Sequence, residues 1–323
     1  MKAIVYSKYG PPDVLQLREV EKPAPRDNEV LIRIQAAGVN AADSHLVKGK
    51  PFMGRLIAGL LKPKHPILGA DVAGQVEAVG GRVTQFQPGD EVIGDLSSSG
   101  RGGFAEYVCA PEDVLVRKPA GLSFAAAAAV PMAAVTALQG LRDNGQVQPG
   151  QEGLIYGASG GVGTYAVQIA TAMGARVTAV CSTSKLELVR SLGAERVIDY
   201  TREDFAGDGP CYDVILVANG DRPIWDYKRA LRPAGILVVA GGSMKQLFQA
   251  MLLGPLLSRL GSQKIGNLAA SPNQKDLAQV TQMLEAGKIV PVIDSCYPLS
   301  EVPDAIRHVG SGHARGKVVI TIR

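Results

Sequence analysis

The run Gly157-Ala158-Ser159-Gly160-Gly161-Val162-Gly163 is the stretch of this sequence that most directly implies chemistry. It follows an apolar, strand-like segment (GLIYG) and opens a segment, VGTYAVQIATAMG, of amphipathic helical character. Glycines at such a junction let the chain turn sharply and bring its backbone close to a ligand with no Cβ in the way. The first N–H groups of the helix then lack intrahelical acceptors and lie at the positive end of the helix dipole. That arrangement suits an anion, and after a strand of a β-α-β unit the expected anion is a dinucleotide pyrophosphate. Ala158 stands where the commonest fingerprint has its first glycine, so the run is a variant. An ordinary strand-to-helix turn would use similar residues.

The next strand, Arg176–Val180, indicates which dinucleotide. NAD sites usually carry Asp or Glu at its end, accepting from the ribose 2′-hydroxyl. Here Cys181-Ser182-Thr183-Ser184-Lys185 follows, with no acid. Ser182 and Lys185 suit a 2′-phosphate instead, and one charge-assisted hydrogen bond contributes about 1.5–3 kcal/mol, roughly a 10- to 150-fold preference for NADPH. The same serines would also cap the following helix, with Lys185 in solvent.

These residues sit in a chain of two textures. Residues 1–118 hold short strand-like segments (AIVYS, VLQLREV, EVLIRIQAAGV, DVAGQVEAVG, DEVIGDL, FAEYVCAP) broken by turns such as GPPD, RDNE and QPGD. From Leu122 strands alternate with helices, beginning with SFAAAAAVPMAAVTALQGL, a helical run interrupted at Pro131. The β-α-β rhythm implies a doubly wound parallel sheet. The expected division is a mostly β domain over 1–118, completed by 271–323, and a dinucleotide-binding domain over 119–270.

The bulk numbers narrow the function. Of 323 residues 46% are hydrophobic, enough for a sizeable core. A net charge of +4, from 34 basic and 30 acidic side chains spread along the chain, gives no nucleic-acid footprint. Cys109, Cys181, Cys211 and Cys296 form no C-x-x-C pair, and the N-terminus reads as a strand, not a signal peptide; a cytoplasmic location is expected. The apolar stretch AMLLGPLLSRL, which contains Pro255, falls short of the about 20 residues that span a bilayer. It reads as a helix over a substrate cleft or at a subunit contact.

Several segments together resemble the medium-chain dehydrogenase/reductase superfamily, essentially end to end, in its zinc-free quinone oxidoreductase branch. They are AAGVNAAD (Ala36–Asp43), GADVAGQVEAVG (Gly69–Gly80), PGDEV (Pro88–Val92), GGFAEY (Gly102–Tyr107) and GASGGVG. GHARGKVV (Gly312–Val319) is similar to the mitochondrial reticulon-4-interacting NADPH oxidoreductases and the plant chloroplast alkenal/oxo-ene reductases. The resemblance implies an α/β protein: a GroES-like, mostly β catalytic domain plus a Rossmann domain, with NADP(H) as cofactor. Zinc-dependent relatives place metal ligands where this chain has Asn40, Ala70-Asp71 and the Met132–Ala133 neighbourhood. Asp71 alone cannot supply the three protein ligands such a site needs, so no metal is expected. DLSSSGRGG stands in place of the structural four-cysteine lobe, and His45 and His65 match no ligand spacing.

Without a Lewis acid, conjugate reduction is the easier chemistry, because the negative charge delocalises into an enolate or hydroquinone. The resemblance implies a quinone, enone or enal as substrate and places Asn40 and His45 beside the nicotinamide. Asn40 would donate its amide N–H to the substrate oxygen or the nicotinamide amide; alternatively it only forms a turn. His45 stands where relatives often have tyrosine, so the proton donor is either this imidazole or water. By position, Thr136 matches a nicotinamide-side threonine, Ser159, Gly161 and Val162 the pyrophosphate turn, and Tyr200 a residue near the 2′-phosphate. Gly241 and Gly242 end a parallel strand. His313, Ala314, Arg315 and Lys317 match a loop closing over the cofactor, and Lys64 is a further candidate. Asp43, Arg101 and Tyr107 read as structural. A homodimer joined at KIGNLAA (Lys264–Ala270) is implied. Two rival functions stand beside this one: a zinc-free alcohol dehydrogenase or carbonyl reductase, and a non-catalytic NADPH-binding protein of the crystallin type.

Overall fold

The computed structural model describes residues 1–50, 55–207, 209 and 211–322. The chain divides into two compact units: Met1–Met132 with Pro272–Glu285 and Pro291–Arg323, and Ala133–Ser271 with Ala286–Val290.

In the first unit, β1 (Lys2–Val5) and β2 (Gln16–Glu19) form a small antiparallel pair. β3 (Glu29–Val39) leads into the helices α1 (Ala41–Lys48) and α2 (Arg55–Ala58). β4 (Asp71–Val79), β5 (Glu91–Asp95), β6 (Tyr107–Pro111) and β7 (Leu115–Arg117) follow, then α3 (Phe124–Ala128). The long β3 is central, with β4, β6 and the C-terminal strand all antiparallel to it. Its end is built of Ala36, Ala37 and Gly38 because α3 lies directly on it: a Cβ on Gly38 would come 2.4 Å from the Ala128 carbonyl oxygen. That packing explains why the unit extends to Met132 rather than ending at 118.

α4 (Pro131–Gln139) carries the chain into the second unit. There β8 (Glu152–Tyr156), α5 (Gly161–Ala172), β9 (Arg176–Cys181), α6 (Leu186–Ser191), β10 (Arg196–Asp199), β11 (Tyr212–Val217), α7 (Ile224–Ala230), β12 (Leu231–Val239), α8 (Met244–Leu260) and β13 (Lys264–Asn267) alternate as expected. The six strands are all parallel in the order β10-β9-β8-β11-β12-β13. This is the 3-2-1-4-5-6 order of a Rossmann sheet, whose ligands bind at the carboxyl ends of the strands. α8 contains the apolar stretch around Pro255; it buries Ala250 and Gly254 and exposes Phe248, Met251, Leu252, Leu256 and Leu260. No helix among the described residues is long and apolar enough to cross a membrane.

The chain returns to the first unit with α9 (Gln274–Glu285), β14 (Ile293–Pro298), α10 (Val302–Gly310) and β15 (Lys317–Thr321). The intervening Ala286–Val290 belongs to the second unit, where Gln168 exchanges hydrogen bonds with both the N–H and the carbonyl of Val290 (2.8 and 3.0 Å). Each unit has its own core. Ile32, Ile34, Leu68, Leu115, Ile306 and Ile320 centre the first, and Leu154, Ile215, Val217, Tyr227 and Leu237 the second.

Candidate functional site

In the second unit the glycine run lies at the carboxyl end of β8. Gly157 turns the chain at φ 75°. Its N–H and that of Ala158 donate to the Val180 carbonyl of β9 (3.1 and 3.0 Å). A Cβ on Gly157 would lie 2.4 Å from the Asn219 carbonyl oxygen, and one on Gly163 would lie 2.1 Å from the carbonyl oxygen of Gly157. Those two glycines are demanded by the fold itself. Gly160, the N-cap of α5, is different: its φ of −85° and ψ of 179° suit any residue, and an added Cβ would meet nothing nearer than 3.6 Å. Packing does not demand a glycine there. Gly161, Val162 and Gly163 open the helix, where N–H groups have no intrahelical acceptor. Ser159 is buried, and no acidic side chain occupies the first turn. A pyrophosphate fits this cradle by charge and by room.

At the neighbouring strand end, β9 stops at Cys181, Ser182 is half-buried, and Thr183–Lys185 form one 3-10 turn. Lys185 is buried rather than solvated. The register sets Asp199 of β10 opposite Cys181. The Asp199 carboxylate accepts from the hydroxyl of Thr183 (2.5 Å) and from the N–H and hydroxyl of Thr201 (3.0 and 2.7 Å). These bonds, with Arg202 nearby, hold its pKa below the usual carboxylate range. Asp199 was absent from the sequence reading; the only sequence signal was its place at the end of the third strand of the β-α-β series. Tyr200 beside it is 53% exposed, and its N–H donates to the Cys181 carbonyl. After β12, Gly241 and Gly242 fold tightly onto the end of β11, each with room for no Cβ: 2.4 Å from the carbonyl oxygens of Ala218 and Gly220 respectively. Thr136 is buried on α4.

In the first unit Asn40 caps α1, and its N–H donates to the Asp43 carboxylate (2.8 Å). Its side chain does something else. Nδ2 donates to Asp71 Oδ2 at 2.9 Å, and Oδ1 accepts from Lys317 Nζ at 2.5 Å. Lys317 Nζ also lies 3.1 Å from Asp71 Oδ2 and 3.3 Å from the Val39 carbonyl oxygen, while Asp71 Oδ1 accepts from the Met132 N–H (2.8 Å). Lys317 therefore lies in strand β15, not in the loop where similarity put it, and its ammonium is buried against Asn40. The residue facing Asp71 on β5 is Asp95. Burial and the Asp71 charge raise the pKa of Asp95 to about 6.

The remaining candidates of this unit are at the surface. His45 lies on the exposed side of α1, and partial desolvation of its ring, with Lys48 nearby, lowers its pKa. Lys64 is exposed on a turn. His313 and Arg315 are exposed and Ala314 half-buried in the loop before β15; Asp294 fixes that loop by accepting from the Arg315 N–H (3.0 Å). Asp43 is fully buried and accepts from the Asn40 and Gly69 N–H groups, with Arg101 4.0 Å away. Tyr107 lies on β6 under the Lys22 ammonium.

Comparison with known proteins agrees with this architecture. Residues 26–120 match the family described as "Alcohol dehydrogenase GroES-like domain" and residues 192–320 the one described as "Zinc-binding dehydrogenase". The chain is 33% identical to the chloroplast envelope quinone oxidoreductase homolog of Arabidopsis thaliana, over 99% of this chain and 98% of that protein. It is 34% identical to the chloroplastic NADPH-dependent alkenal/one oxidoreductase of the same plant, over 99% of this chain and 79% of that one. Among solved structures, the quinone oxidoreductase from Coxiella burnetii superposes with a TM-score of 0.88 at 31% identity, covering 100% of this chain and 99% of that one. With its GroES-like and Rossmann-type parts and these full-length relatives, the chain belongs to the medium-chain dehydrogenase/reductase superfamily and is an oxidoreductase of its nicotinamide-dependent kind.

Proposed function

We propose that this chain is an NADPH-dependent, zinc-independent oxidoreductase that delivers hydride to a quinone or to the conjugated C=C of an α,β-unsaturated carbonyl. The observation that carries the reading is the glycine turn at α5, where a Cβ on Gly160 would meet nothing nearer than 3.6 Å and the Gly161 and Val162 N–H groups open the helix without intrahelical acceptors. In this reading those groups and Ser159 hold the pyrophosphate. Ser182, Lys185 and Tyr200 take the 2′-phosphate, and Thr136, Gly241 and Gly242 take the nicotinamide side. Lys64, His313, Ala314 and Arg315 are assigned to the cofactor by resemblance alone.

The bound nicotinamide supplies the hydride. The protein orients the acceptor, keeps water out, and donates a hydrogen bond to the oxygen that gains charge. Asn40 is the proposed donor, and His45 or water returns the proton. Zinc-independence is supported by the engagement of Asp71: both its oxygens already accept hydrogen bonds, and the Lys317 ammonium answers its charge. The relatives named for quinone and alkenal reduction favour these substrates over simple ketones. We assign the enzyme to the cytoplasm, as a homodimer joined along the edge strand β13.

Steady-state rates with quinones, enones and simple ketones, each with NADPH and NADH, test the proposal. NADPH-linked turnover of a quinone or enone, well above that of ketones, is expected. Ketone rates equal to enone rates would favour a carbonyl reductase, and cofactor binding with no turnover would favour a non-catalytic protein.

A further inference from the structure

A primary amide is ambiguous by itself, since its two ends differ only in hydrogens. The neighbours of Asn40 remove the ambiguity. An ammonium only donates and a carboxylate only accepts. Lys317 Nζ therefore fixes Oδ1 (2.5 Å), and Asp71 Oδ2 fixes Nδ2 (2.9 Å). The 3.1 Å contact between Lys317 and Asp71 closes a three-sided ring, and the Met132 N–H holds the other Asp71 oxygen. All three side chains are buried, Lys317 and Asp71 almost completely. One Nδ2 hydrogen of Asn40 is left over after its bond to Asp71.

We propose that Lys317 and Asp71 are positioning residues that lock the Asn40 amide in one orientation, so that its remaining Nδ2 hydrogen is offered to the substrate oxygen that becomes negative. This rests on the oxidoreductase reading above and deepens it. The ammonium does more than orient. A charged donor on Oδ1 draws electron density through the amide and strengthens the opposite N–H as a donor. Geometry costs nothing at the moment of reaction when the donor is already fixed. The ring also explains an otherwise costly feature, a lysine deep in a strand. Its charge is balanced by Asp71, and it has three acceptors within 3.3 Å.

Two variants separate positioning from simple structural support. Lys317→Met frees the amide but leaves Asp71 buried and uncompensated; Asp71→Asn with Lys317→Met removes both charges together and preserves folding. In either folded variant, kcat for a weakly activated enone is expected to fall about 100-fold, the scale of a misplaced catalytic group. Highly reactive quinones, which depend less on a donor, should lose less, and the Kd for NADPH should not change. A structural role would lower all substrates alike. Independently of turnover, NMR of protein carrying 15N-asparagine, with Asn40 assigned through Asn40→Asp, should show the Nδ2 hydrogen bonded to Asp71 exchanging with solvent far more slowly than those of exposed asparagines, and faster in the double variant. An enone kcat within about threefold of wild type in a folded double variant would overturn the proposal. So would an Asn40 amide in the wild type whose two hydrogens both exchange with solvent as fast as those of an exposed asparagine. A wild type inert toward every quinone and enone would remove the oxidoreductase reading, while the NMR result still decides whether the amide is clamped.

Discussion

Replacing Gly160 with valine separates the cradle's role in binding from its role in folding. Gly160 has backbone angles open to any residue, and its added Cβ would stand at least 3.6 Å from every neighbour. Loss of a favourable N-cap glycine should cost up to about 1 kcal/mol of stability. The valine methyl groups would occupy the space in front of the Gly161 and Val162 N–H groups. Losing one charge-assisted hydrogen bond to phosphate there removes about 1.5–3 kcal/mol, a roughly 10- to 150-fold weaker Kd. The effect should be nearly equal for NADPH and NADH, because the pyrophosphate is common to both. Gly163→Ala is the counterpart. Its Cβ would lie 2.1 Å from the Gly157 carbonyl oxygen, so it should instead destabilise the fold by about 1–3 kcal/mol. Thermal melts and fluorescence titration of the two cofactors read both quantities. A folded Gly160→Val protein with wild-type affinity would refute the assignment of this turn to pyrophosphate.

Two further outcomes follow from the same structure. Lys185→Glu should weaken NADPH binding much more than NADH binding in paired titrations; equal losses would remove Lys185 from the 2′-phosphate site. Asp95→Asn tests the buried carboxylates of β4 and β5. Raising the Asp95 pKa from 3.8 to about 6 means that ionisation of this group opposes folding by about 3 kcal/mol at neutral pH. Below the unfolded value the group is protonated in both states, so the substitution is neutral there. The gain in stability of Asp95→Asn should build through pH 4–6 and be complete above it, as read by denaturant midpoints across that range. A gain independent of pH would contradict the origin given for the shift.

Much of the architecture was legible because it is local. The segment EVLIRIQAAGV forms β3 with the bounds its alternation suggested, and the glycine run does open a helix after an apolar strand. The domain boundary was less legible. Phe124–Ala128 reads as helix from its alanines, but only the glycine at 38 on a distant strand tells which unit that helix packs against. The Asn40 cluster was hidden for the same reason. Lys317 lies 277 residues from Asn40 and 246 from Asp71, and only the pairing of β15 with β3, and of β3 with β4, brings them together. Local similarity placed Lys317 with the preceding loop because the strand begins at that very residue. Asp199 was not legible at the end of β9 because its carboxylate arrives from the neighbouring strand β10, where it binds Thr183 and Thr201.

The central claim is conjugate reduction without a metal. It is tested most directly by stripping the protein with a chelator, verifying by elemental analysis that less than stoichiometric transition metal remains, and measuring NADPH oxidation by an enone and a quinone. The rate should be the same before and after stripping. A rate that collapses on chelation and returns with added zinc would contradict it.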